Sequence, residues 1–236
     1  MSKNIVIIPT FNEIENIEKM IHAVFNLPMK FEVLIVDDNS PDQTAAKVKD
    51  LQKTFGSQLH LIERKGKLGL GTAYIAGFKY ALEKEFDYIF EMDCDFSHNP
   101  NDLINLYTAC AGQDFDVAVG SRYVSQGGFE NWPLFRVFLS KFASYYVEFI
   151  LGTGVKDSTA GFVCYKAKVL NDIDLNNIKF IGYAFQIEMK YKAKLKGFTI
   201  KEVPIIFTER VRGESKMSNN IIKEAVLGVW RLRKEK

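Results

Sequence analysis

Asp93 and Asp95 stand one residue apart in the stretch Phe90-Glu91-Met92-Asp93-Cys94-Asp95-Phe96-Ser97-His98, directly after the apolar run Tyr88 to Met92. Alternate side chains of an extended segment share one side, so the two carboxylates can face the same point. If the chain turns there, both can reach one hard divalent cation. Mg²⁺ and Mn²⁺ take oxygen ligands and commonly bridge protein carboxylates to phosphates. A lone Asp-x-Asp is a weak motif; its neighbours give it weight. Acidic residues also stand in Pro9-Thr10-Phe11-Asn12-Glu13 and in Asp37-Asp38-Asn39-Ser40. Cations follow later: Arg122 after Gly120-Ser121, then Arg136, then the run Arg210-Val211-Arg212-Gly213-Glu214-Ser215-Lys216. A bound cation together with anionic phosphates would account for both sets.

Such residues need a scaffold, and the first half of the chain supplies a pattern for one. Short apolar runs at Asn4–Ile8, Phe31–Val36, Leu59–Ile62, Tyr88–Met92 and Val117–Val119 alternate with amphipathic segments. Continuous apolar strands separated by helices predict a mostly parallel, Rossmann-like sheet with helices on both faces. Pro9 is expected to end the first strand, Asn12 to cap a helix reaching about Phe25, and a second helix to run from about Asp42 to Phe55. In sheets of this kind ligands bind outside the carboxyl ends of the strands, which is where the acidic clusters fall. Turn formation and helix capping account for part of Asn12 and Asn39. They do not account for three acidic strand ends together. The glycine-rich run Gly66-Lys67-Leu68-Gly69-Leu70-Gly71 precedes a helix and admits two readings, a phosphate cradle or a tight turn. Its order is neither that of a P-loop nor that of a dinucleotide fingerprint.

In the second half, Arg136, Ser140 and Ser144 recur every four residues and so share one helical face. Leu134, Phe138, Phe142, Tyr145 and Phe149 form an apolar surface elsewhere on the same segment. The segment is broken by Arg136, Lys141 and Glu148, whereas a membrane span needs roughly 20 mostly apolar residues. Residues 219–236 have an amphipathic pattern with Ile221, Ile222, Ala225, Val226 and Val229 on one face and a basic remainder. That helix either docks on the core or lies on anionic lipid.

Composition bounds the rest. With 236 residues, 47% hydrophobic and 25% charged, the chain reads as one large globular domain. A net charge of +2 gives no reason to invoke nucleic acid as a partner. Cys94, Cys110 and Cys164 have neither disulfide-framework nor zinc spacing and read as small core residues in a reducing compartment. The first strand begins almost at once, with no signal-peptide pattern. A phosphoacceptor receiver domain, which Asp37-Asp38 alone would admit, fails on length and on the other motifs.

Taken in order, IIPTFNE, VLIVDDNSPD, GKLGLGTAY, MDCDFSHNP, GSRYV, the WPLFR…S run, DSTAGF, GYAFQIE and RVRGESKMS resemble the dolichyl-phosphate (polyprenyl-phosphate) mannosyltransferases of glycosyltransferase family 2. The resemblance covers nearly the whole chain. It implies a GT-A fold over residues 1–217, including an interfacial helix at 133–151, with a C-terminal helix at 218–236. It implies a nucleotide-sugar donor and a divalent metal, Mg²⁺ or Mn²⁺. Pro9, Phe11, Glu13, Asp37 and Asp38 would line the donor pocket with Lys67. Asp93 and Asp95 match the metal pair, with Ser97 at a position where some relatives place a further ligand. Arg122 and Arg136, with Ser140 beside them, match residues near the transferring phosphates, and Arg212 and Lys216 match a loop that closes over the donor. Val163 after Phe162, and Ser144 in place of asparagine, depart from the pattern at positions with no assigned chemistry.

The implied reaction is inverting transfer of mannose from GDP-mannose to a dolichyl or polyprenyl phosphate, with Asp95, Arg122, Arg136 and Ser140 at the reacting groups. An anionic phosphate acceptor needs no general base, but it does need cations to let two phosphates approach. A polyprenyl chain stays in the bilayer, so the expected location is peripheral, on the cytoplasmic face, with a small membrane subunit as an optional partner. The alternatives are a family 2 glucosyltransferase using UDP-glucose and a non-catalytic nucleotide- or lipid-binding protein.

Overall fold

The computed structural model describes residues 2–182, 184–209 and 228–234. Arg212, Lys216 and most of the expected C-terminal helix lie outside the described residues. Among the described residues the elements run in the order β1 (Asn4–Thr10), α1 (Ile17–Phe25), β2 (Glu32–Asp37), α2 (Thr44–Phe55), β3 (Leu59–Glu63), α3 (Leu70–Glu83), β4 (Tyr88–Glu91), α4 (Asp102–Tyr107), β5 (Val117–Ser121), β6 (Gly128–Glu130), α5 (Leu134–Leu151), β7 (Val163–Lys166), α6 (Ala167–Asp172), α7 (Ala184–Leu195), β8 (Ile200–Pro204) and β9 (Ile206–Thr208), with a further helical stretch at 228–233. The main sheet has the order β3-β2-β1-β4-β7-β5-β8, and β6 pairs with β9 in a separate ribbon. Among the described residues only β7 runs antiparallel to its neighbours in the main sheet.

The apolar strands are apolar on both faces because both are covered. Ile5 and Ile7 of β1 enter one core layer, with α3, α6, α7 and the end of α5. Val6 and Ile8 enter the other, under α1, α2 and α4. Cys94, Cys110 and Cys164 are buried free thiols, as their spacing predicted.

Two local expectations are corrected. Pro9 does not end β1, which continues through Pro9↔Val36 to Thr10↔Asp37. The Thr10 carbonyl accepts from the Asp38 amide, so the Thr10 peptide faces β2 and the Pro9 ring faces the β4 edge. Pairing with β4 has by then stopped at Ile7↔Glu91, so no ladder hydrogen bond is lost. Nor does Asn12 cap a helix. It sits at φ 61° in the left-handed region, and α1 begins only at Ile17. The amide of Asn12 donates to Ser40 Oγ and that of Glu13 to Thr44 Oγ1, which ties the first acidic loop to the second.

At the C-terminus, residues 228–233 are helical. Val229 and Leu232 are buried in the core layer beside Val147 and Ile150, and Arg233 donates to the Ile150 carbonyl. The part of the C-terminal helix that is described therefore docks on the core. No helix among the described residues is long and apolar enough to cross a membrane.

Candidate active site

Strand order reverses between β1 and β4, with β2 and β3 on one side and β7, β5 and β8 on the other. The carboxyl ends flanking such a switch point form a crevice. Pro9 and Phe11 leave β1 there, Asp37 and Asp38 leave β2, Asp93 and Asp95 leave β4, and Arg122 leaves β5. Because β7 is antiparallel, its leading loop, residues 157–162, arrives at this same end.

Asp37 and Asp38 divide the work of the second loop. Asp37 is fully buried and accepts from Thr10 Oγ1, Ser40 Oγ and the Ser40 amide, which braces the turn between β1 and β2. Asp38 turns toward the glycine-rich loop, pairing with Arg64 and accepting from the Leu68 amide at 3.2 Å. Arg64 also reaches Thr72 Oγ1 at 2.7 Å and the Gly69 carbonyl. The glycines here answer to conformation and packing: Gly69 has φ +102°, and a Cβ on Gly71 would lie 2.8 Å from the Phe180 carbonyl and the Phe185 ring. Lys67 projects from this loop to place Nζ 4.9 Å from the centroid of Phe11, uniting two of the expected donor residues.

Asp93 and Asp95 are half-buried at the mouth of the crevice. Tyr74 hydroxyl approaches Asp93 Oδ1 at 3.5 Å, and Asp95 Oδ1 accepts from the Ser97 amide at 3.0 Å. His98 Nε2 lies 3.9 Å from Asp93 Oδ2, with its ring stacked on Phe162 and edge-on to Phe207. Burial pushes the His98 imidazole down to about 4 despite the attraction of Asp95, so it is neutral at ordinary pH. Ser97 Oγ and His98 Nδ1 are buried and make no hydrogen bond among the described residues. Among those residues no group of three or more His, Cys, Asp or Glu side chains could hold a metal ion. Asp93, Asp95 and Ser97 offer only oxygen donors. They fit Mg²⁺ or Mn²⁺ if the remaining positions go to donor phosphates and water.

Arg122 is held by a partner that the sequence motif contained but did not explain. Its Nε and Nη2 donate to Asp157 at 2.7 and 2.6 Å, its amide donates to the same carboxylate, and Nη2 also reaches Thr159 Oγ1. Burial works against the charge, but the Asp157 bonds more than offset it, so the guanidinium is held above its ordinary value. Tyr123, Phe129 and Phe207 surround it with ring centroids near 5.4 Å. Arg136 is farther out. Its Nη1 donates to Glu209 at 2.6 Å, and the guanidinium covers Trp132 at 4.2 Å. Ser140 exchanges a 2.7 Å hydrogen bond with Tyr123, linking α5 to the residue after Arg122. Ser144 is buried.

Apart from its end, where Val147, Ile150 and Leu151 are buried in the core, α5 inverts the usual pattern. Its polar stripe faces the protein, while Leu134, Phe135, Phe138, Leu139, Phe142, Tyr145 and Phe149 are 49–87% exposed. Asp157, Arg64, His98 and Glu209 were not identified as site residues in the sequence. Asp157 was legible as an acid within a shared motif, and Arg64 as a cation just past a strand end.

The mostly parallel sheet with helices on both faces is the GT-A fold. The chain belongs to glycosyl transferase family 2, whose model matches residues 5–174. It is 44% identical over 234 residues to the polyprenol monophosphomannose synthase of Mycolicibacterium smegmatis, covering 98% of this chain and 88% of the relative. It is 42% identical over 227 residues to the undecaprenyl-phosphate mannosyltransferase of Micrococcus luteus, covering 96% of this chain and 92% of that one. Among solved structures, glucosyl-3-phosphoglycerate synthase from Mycobacterium tuberculosis, in complex with Mn²⁺ and UDP-glucose, superposes with a TM-score of 0.66 at 15% identity, over 98% of this chain and 79% of that one. S. aureus TarS with UDP-GlcNAc gives 0.65 at 22% identity over 98% of this chain, which spans 65% of that chain's length. These two share the fold.

Proposed function

We propose that the protein is a metal-dependent, inverting mannosyltransferase that moves mannose from GDP-mannose to a dolichyl or polyprenyl phosphate at the cytoplasmic face of a membrane. The observation that carries this reading is α5. Its inward stripe bonds to the residue after Arg122, while its outward stripe is apolar. One helix thus joins a phosphate-suited cation to a surface suited to lipid. The names of the two mannosyl-transferring relatives agree with it.

Pro9, Phe11, Glu13, Asp38 and Lys67 would line the nucleoside side of the crevice, with Asp37 bracing the turn behind them. Asp93 and Asp95, with Ser97 as a further oxygen, would hold Mg²⁺ or Mn²⁺, which supplies Lewis-acid stabilisation of the leaving diphosphate. A non-bridging oxygen of the acceptor phosphate attacks the anomeric carbon from the face opposite the GDP. The carbon–oxygen bond to the diphosphate breaks, GDP leaves with the electron pair, and the configuration inverts. No proton has to be removed from the acceptor. Arg122, fixed by Asp157, is assigned to the phosphates as a permanent cation. Arg136 would exchange Glu209 for phosphate, with Ser140 beside it. Arg212 and Lys216 are assigned to closure over the donor.

The test offers GDP-mannose, GDP-glucose and UDP-glucose separately to the full chain with polyprenyl phosphate and Mg²⁺ or Mn²⁺, and measures labelled lipid. Product from GDP-mannose is expected; product from UDP-glucose alone would overturn the donor and favour the glucosyltransferase reading. Asp95→Asn should abolish transfer with an unchanged melting temperature. Full turnover by that variant would remove Asp95 from the site.

A further inference from the structure

Beneath the crevice, in the apolar layer between the sheet and α7, lie three fully buried polar side chains that the proposed chemistry leaves unused: Glu91, Gln186 and Lys190. Gln186 Nε2 donates to Glu91 Oε2 at 2.8 Å. Lys190 Nζ donates to Gln186 Oε1 at 3.3 Å and, most closely, to the Ala160 carbonyl at 2.7 Å. Each end of this chain belongs to one half of the transfer site. Glu91 is the last residue of β4, two before Asp93. Ala160 follows Thr159 in the loop that also carries Asp157, the pair that holds Arg122.

Stability gives little reason for such a chain. Buried polar groups are often matched or bettered by well-packed apolar residues of similar volume, burial pushes the Glu91 carboxyl up to about 8, and Glu91 Oε1 makes no hydrogen bond among the described residues. Tyr74, Val163, Tyr165 and Phe185 belong to the same buried apolar layer. Satisfied polar contacts do fix relative positions more sharply than apolar ones, because their distances are set to tenths of an ångström.

We propose that Glu91, Gln186 and Lys190 form a positioning strut that sets the spacing between the Asp93–Asp95 strand end and the Arg122 loop. The proposal rests on the transfer reading above. The strut touches no substrate. It acts by holding one half of the site at a fixed distance from the other, and a misplacement of about 1 Å can cost about 10²-fold in rate.

The test replaces the two ends together, Glu91→Leu with Lys190→Met, and separately cuts the middle link with Gln186→Leu in case the double variant does not fold. Melting temperature, GDP-mannose affinity, kcat and hydrogen exchange are measured on the full chain. Retained melting temperature and donor affinity are expected, with kcat at least about tenfold lower and faster amide exchange in residues 157–162. A kcat within about twofold of the parent, or a kcat that falls only in step with melting temperature and donor affinity, overturns the strut. Failure of the parent to make mannosyl lipid would instead count against the transfer reading. The exchange comparison still decides the strut in that case, because unchanged protection of 157–162 overturns it whatever the reaction.

Discussion

Replacing Phe138, Phe142 and Phe149 together by glutamine should detach the protein from membranes while leaving its fold intact. These rings are 67%, 61% and 87% exposed, so the free protein keeps roughly two full phenylalanine side chains in water across the three positions. Burying one such side chain is worth about 1.5–3 kcal/mol, so full insertion of all three would contribute about 3–6 kcal/mol. A helix lying at the headgroup boundary inserts only part of that surface. Half of the lower figure still corresponds to about a tenfold change in partitioning. Exposed substitutions of this kind change stability by about 0.5 kcal/mol or less. Flotation of the full chain with phospholipid vesicles, with and without anionic lipid, measures the effect directly. The triple variant should float at least about tenfold less than the parent and keep its donor affinity. Equal flotation would show that α5 does not carry the membrane contact, whatever its exposure.

Two further expectations concern buried charge. Asp157→Asn strands the Arg122 guanidinium in a site where its side chain is 9% exposed, and should cost about 3–5 kcal/mol in denaturant unfolding. With Arg122→Met added, the total should fall short of the sum of the single losses by about 2 kcal/mol or more; additive losses would break the pairing argument. His98, pushed down to about 4 by burial, binds its proton more readily unfolded than folded. Its contribution is thus intact above about 6.5, the ordinary value, and is lost as pH falls toward 4. His98→Phe, which preserves stacking on Phe162, should gain stability relative to the parent across that window in the metal-free protein; parallel unfolding curves at every pH would refute the assignment.

Much of the architecture could be read in advance because it rests on local signals. The runs of β1, β2, β4 and β5 were visible as short stretches rich in Ile, Val, Leu and Phe, since a strand covered on both faces needs no polar alternation. The site's acidic residues were visible because strand ends concentrate function. What escaped was set by distant partners. β7 and β8 carry Lys166, Lys201 and Glu202 among their apolar positions, and their place in the sheet depends on neighbours far away in sequence. Asp157 is an ordinary polar residue until Arg122, 35 positions earlier, is folded against it. Pro9 misled for the same reason: a proline ends a strand only where its missing N–H was needed, and which edge it faces follows from the three-dimensional pairing.

That same proline has a consequence for the seam between β1 and β4. The last bond of the β1–β4 seam runs from the Met92 amide to the Ile7 carbonyl. Extending the ladder would next call on an amide hydrogen at position 9, and proline has none. The seam is therefore a zip fastener with a stop sewn into it. Past that stop β1 continues with β2 alone. A residue that costs β1 nothing on its β2 side thus rules out a further bond from its own amide toward β4.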